Sequence, residues 1–89
     1  MNTKSKVYHT VEVCYKLNHK GIGLDEDKDD DIETIAIKHG GEKVGGGAGF
    51  GYRDSDYEFP TEKAATAAEA EFKAAGYEAN YYQDADDPD

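Results

Sequence analysis

The chain has 89 residues, enough for one domain with a small core. Twenty acidic against ten basic residues give a net charge of −10. That excess argues against a conventional nucleic-acid binder and against attachment to an anionic membrane, because like charge repels both. Partners are expected to be basic.

Residues 1–6 are polar and predicted to fray. Residues 7–17 alternate as a strand, with Val7, His9, Val11, Val13, Tyr15 and Leu17 on one face. Tyr8, Thr10, Glu12, Cys14 and Lys16 share the other face, and the first, more apolar set is expected to meet the helices. A loop with Gly21 and Gly23 follows, and then the run DEDKDDD over residues 25–31.

Residues 32–39 read as a first helix. Carboxylates crowd its N-terminal end, Lys38 and His39 sit in its last turn, and Gly40 and Gly41 follow, all as the helix dipole and capping favour. Ile32, Ile35, Ala36 and His39 form its expected inner face. A strand is the rival, since β-branched residues are dense here and Ile35 and Ile37 alternate.

Residues 42–51 are glycine-rich. Gly47, Gly49 and Gly51 alternate with Ala48, Phe50 and Tyr52, which predicts a strand whose outer face carries no side chains. A tight turn is expected at Arg53 and Asp54, leading into an alternating strand. Ser55, Tyr57 and Phe59 fall on one face of that strand, and Asp54, Asp56 and Glu58 on the other.

Thr61 then caps a second helix. Ala64, Ala65, Ala68, Phe72 and Ala75 recur along one stripe of it, and Gly76 stops it. Residues 77–82 form the last strand, and an acidic tail after it is predicted to be disordered.

The order strand, helix, strand, strand, helix, strand predicts a ferredoxin-like βαββαβ fold of the α+β class. A four-stranded antiparallel sheet carries both helices on one face and leaves the other open. The domain is expected to span residues 1–83, with 84–89 as the tail.

No catalytic or metal-binding pattern emerges. Asp25, Asp27, Asp29 and Asp31 have the alternate spacing of a calcium loop, but Asp30 and Ala36 stand where that loop requires glycine and glutamate. The glycine run lacks the Lys-Ser or Lys-Thr pair of a phosphate-binding loop and does not open a helix. His9 and Cys14 point to opposite strand faces, and no zinc spacing is present. Asp56 and Glu58 lack an apolar neighbour that would raise one of them for acid–base work. Neither enzymatic activity nor a cofactor is therefore expected. The single cysteine excludes an internal disulfide and fits a reducing cytoplasm. No apolar run reaches membrane-spanning length, and the N-terminus lacks a signal-peptide core.

The open sheet face is expected to carry Glu12, Asp54, Asp56, Glu58 and Glu78, with Tyr8 and Tyr82. Folds of this kind often stack RNA bases on that face, but here the face would repel RNA. Alternate carboxylates on a strand lie ~6.6–6.8 Å apart, comparable with the phosphate repeat of a nucleic-acid strand. A short, very acidic chain with stretches at 25–33, 54–58 and 84–89 resembles the small phage-encoded anti-defence proteins, among them anti-CRISPR proteins and DNA mimics.

That resemblance implies a cytoplasmic inhibitor acting in an infected bacterial host. It would bind a basic, nucleic-acid-handling protein such as a CRISPR effector and block its nucleic-acid site. The expected partner-binding residues are Asp25, Glu26, Asp27, Asp29, Asp30, Asp31, Glu33, Arg53, Asp54, Asp56 and Glu58. The alternatives are an accessory module, dimeric through the open sheet, and an inhibitor that acts allosterically without mimicry.

Overall fold

Alternating side chains and two capped helices produce the expected order. The computed structural model describes residues 7–16, 26–49 and 51–85. These form β1 (Val7–Lys16), α1 (Glu26–Lys38), β2 (Glu42–Gly49), β3 (Tyr52–Phe59), α2 (Glu62–Ala74) and β4 (Glu78–Ala85). The strands make one antiparallel sheet in the order β2-β3-β1-β4, which is the ferredoxin-like arrangement.

Both helices lie on one face of this sheet. Val11, Val13 and Tyr15 of β1 and Tyr57 and Phe59 of β3 meet Ile32, Ile35 and Ala36 of α1 and Ala65, Ala68 and Phe72 of α2. Tyr77, Ala79 and Tyr81 close the core beside β4. The alanine stripe lets α2 sit low on the sheet, and Phe72 is its one large buried side chain. Ala75, expected in that stripe, is instead the exposed C-cap residue.

The cap chemistry sets the helix ends. Thr61 is extended and its Oγ1 accepts from Ala64 N at 3.0 Å. At the other end Gly76 takes φ 99°, Gly76 N donates to Lys73 O and Tyr77 N donates to Phe72 O, each at 3.0 Å. This Schellman arrangement turns the chain directly into β4. Helix α1 ends in the same way at Gly40 and Gly41, whose N–H groups donate to Ile37 and Ala36. From there Lys38 and His39 reach across to Glu71 of α2 at 3.0 and 2.8 Å.

Several boundaries differ from those the sequence predicts. Residues 32–38 are helical, so the strand rival fails, and the helix starts six residues earlier, at Glu26. Carboxylates suit a helix N-terminus, and two of them find tyrosine donors, one on β1 and one just before β4. Tyr15 Oη donates to Asp29 at 2.7 Å and Tyr77 Oη donates to Asp31 at 2.8 Å. The β2–β3 link falls at Gly51, φ 83°, so Arg53 and Asp54 belong to β3 and not to a turn. The last strand runs on to Ala85, because β1 extends to Val7 and offers it a partner for each added residue. Backbone pairing there outweighs the poor strand propensity of aspartate. Strand β1 is described as far as Lys16, and Leu17 lies outside the described residues, as do the predicted frayed start (1–6), the predicted loop, Asp25 and residues 86–89.

Candidate functional site

The register assembles an acidic surface on the open sheet face. Asp54 stands between Gly47 and Cys14, and Glu78 lies beyond Cys14. One step along, Asp56 stands between Gly45 and Glu12, with Asn80 beyond. In the next row Glu42, Glu58, Thr10 and Tyr82 follow one another across the sheet. Six carboxylates thus come from four strands, and alternation places a single cation, Lys16, on the same face among the described residues. The glycines of β2 leave its outer side bare beside them, as the sequence predicts for Gly47 and Gly49.

Two of these carboxyls, Glu12 and Asp56, are shifted by their surroundings. Burial, then the carboxylates of Asp56 and Asp54, push Glu12 above the ordinary glutamate range, and a hydrogen bond with Asp54 favours its protonated form. Burial and Asp54 likewise raise Asp56. Asp56 Oδ1 is buried with no hydrogen-bond partner among the described residues. Burial pushes the Cys14 thiol up, with Glu12, Asp54, Glu78 and Asp56 adding to the effect. The thiol is therefore a poor nucleophile and a useful gauge of the local field. We expect cationic thiol reagents to modify Cys14 faster than neutral ones, and neutral ones faster than anionic ones. The spread should shrink as salt is added. Equal rates at low salt would mean that the face carries no strong negative potential.

The two predicted acidic stretches do not meet. Asp54, Asp56 and Glu58 line the open face, whereas α1 buries Ile32, Ile35 and Ala36 on the opposite side of the sheet. Asp27, Asp30 and Glu33 are exposed on that helix, Glu26 begins it, and Asp25 lies outside the described residues. Asp29 accepts from Tyr15 in a half-buried contact, and Asp31 accepts from Tyr77 while staying exposed. Arg53 is internal. Its side chain is 13% exposed, its Nε lies 3.5 Å from Asp29 Oδ1, and its Nη1 donates to Gly47 O at 3.3 Å. Glu42, absent from the predicted patch, joins it only through the pairing of β2 with β3, which no local sequence pattern discloses. Glu12 and Glu78 are placed on this face by strand alternation, as the sequence predicts.

Among the described residues, no group of three or more His, Cys, Asp or Glu side chains is arranged to hold a metal ion. None of the described helices is long and apolar enough to cross a membrane.

No family model matches the chain, and no curated protein sequence matches it. A solved structure with a similar outline is the peptidoglycan binding domain of the B. subtilis cell wall lytic enzyme CwlC. It is 17% identical, with a TM-score of 0.49 over 94% of this chain and 98% of that one. A likeness at this level carries no functional argument.

Proposed function

We propose that this chain is a non-enzymatic inhibitor whose open sheet face docks on a basic, nucleic-acid-handling protein and occupies the site that normally holds phosphates. The observation that carries this reading is the set of six carboxylates gathered by four strands and faced by a single cation; two of the six, Glu12 and Asp56, are raised in pKa by burial and by neighbouring carboxylates. A protein gains nothing in stability from such crowding, whereas a surface rich in Lys and Arg would relieve it. The carboxylates of β3 repeat at roughly the phosphate spacing, which suits competition with nucleic acid. The exposed carboxylates of α1 lie on the far side and serve solubility or a separate contact.

The test takes the partner found by affinity capture and measures its nucleic-acid binding with and without this protein across a salt series. Mutual exclusion and a steep loss of affinity with salt are expected. Replacing Asp54, Asp56 and Glu58 by their amides should slow association by ~10-fold or more, while the same change at Asp27, Asp30 and Glu33 should do far less. Inhibition that survives neutralisation of the sheet face would overturn the reading. Inhibition with nucleic acid still bound would replace mimicry with an allosteric mechanism.

A further inference from the structure

We propose that β2 accepts an extended basic segment of the partner as a fifth strand, with Lys or Arg at alternate positions directed onto Asp54 and Asp56. This rests on the reading above that the partner is basic.

Strand β2 is an edge of the sheet, with β3 on one side and no described strand on the other. Natural edges are guarded by charged side chains, proline or irregularity. Here an irregularity sits at one end only, between Lys43 and Gly45. From Gly45 to Gly49 the strand offers glycine and one alanine, so its own side chains there shield little of its backbone, although the Lys43 side chain lies beside Gly46.

The other edge differs. On β4 the N–H of Tyr81 donates to Glu69 Oε2 of α2 at 3.1 Å, which occupies one backbone donor there. On β2 the side-chain contact from Arg53 occupies an acceptor, Gly47 O, and no donor.

The glycines also let the neighbouring carboxylates lean over β2. A Cβ at Gly45 would meet Asp56 Oδ2 at 3.2 Å, and one at Gly47 would meet Asp54 Oδ1 at 3.5 Å. The two carboxylates thus fill the space that β2 side chains would take. Strands pair ~4.8 Å apart, so outward side chains of a fifth strand would rise beside that bare floor. Lysine or arginine there reaches over the glycines to the two carboxylates. The unpartnered Asp56 Oδ1 marks the same carboxylate as short of a donor. Val44 and Tyr52, 54% and 44% exposed, flank the glycine stretch and offer apolar contacts at its two ends. Main-chain pairing gives such a complex its affinity, and alternate side chains give it specificity.

The probes are four synthetic octapeptides applied to the intact chain. One alternates arginine and threonine, one has the same composition in two blocks, and two are the alternating peptide carrying N-methyl groups on every second amide, one in each register. We expect the alternating peptide to bind ~10-fold or more tightly than the block peptide. It should slow amide exchange along β2 and lose binding when one of the two N-methyl sets is installed. Gly47→Val, which covers the carboxylates with a branched side chain, should weaken it comparably, with a thermal melt to show that the variant folds.

Equal binding of all the peptides would overturn strand addition and leave the basic-partner reading standing. No binding of any arginine peptide would sink both. A concentration-dependent dimer that protects β2 without peptide would make a second copy of this chain the occupant and overturn the basic segment.

Discussion

Replacing Phe72 by alanine is expected to lower the stability of this domain by about 3–5 kcal/mol. The side chain is wholly buried, and its ring lies 6.5 Å from that of Tyr57, tilted by 32°. Its neighbours on α2 are alanines, which cannot swing into the space it leaves, so most of the cavity persists. For a domain of this size, whose total stability is on the order of 5–15 kcal/mol, the variant is close to unfolding. Thermal melts followed by circular dichroism check this. A midpoint lowered by less than about 5 °C would mean that α2 does not seat on the sheet through this ring.

The second large effect runs the other way. Changing Glu12 to Gln together with Asp56 to Asn is expected to stabilise the protein at neutral pH, by about 0.5–2 kcal/mol, while reducing affinity for the proposed basic partner. Both carboxyls are raised in the folded state by burial and by neighbouring carboxylates. Between the unfolded and folded values the native protein binds more protons than the unfolded chain, so stability falls as pH rises through that window. Acidification from neutral into the window therefore stabilises the wild type. Glu71 opposes this at lower pH, because hydrogen bonds from His39 and Lys38 hold it below the ordinary glutamate range. Its contribution is present above the unfolded glutamate value and is lost as pH falls through its lower folded value. Urea midpoints from about pH 4 to 8 should pass through a maximum on the acid side of neutral, and the gain on that side should vanish in the double variant. A double variant less stable than wild type at neutral pH would remove the claim that the face holds repulsion at the expense of stability.

Much of this architecture was legible from spacing. Alternation assigned the faces of β1 and β3, and the Thr61 and Gly76 signals bounded α2, because each rests on short-range geometry. The start of α1 was not legible, since Asp29 and Asp31 are drawn into the helix by Tyr15 and Tyr77, more than ten residues away in each case. Arg53 looked like a contact residue by type, yet its guanidinium tethers α1 to β2, which only the fold brings together. The site was half legible: strand alternation gave the carboxylates of β3, but the place of Glu42 depended on register. The separation of the two acidic stretches depended on which side of the sheet the helices took.

The register of the outer pair has a practical consequence. Val7 of β1 and Ala85 of β4 are cross-strand partners at one corner of the sheet, and β3 separates that pair of strands from β2. A linker built directly from Ala85 to Val7, with the chain reopened at Gly51, would therefore give the permuted order β3, α2, β4, β1, α1, β2 with every strand neighbour kept. Left closed, the same join makes a cyclic protein whose unfolded state has fewer conformations to regain, a route to a hardier form that leaves the acidic face and its glycine edge untouched.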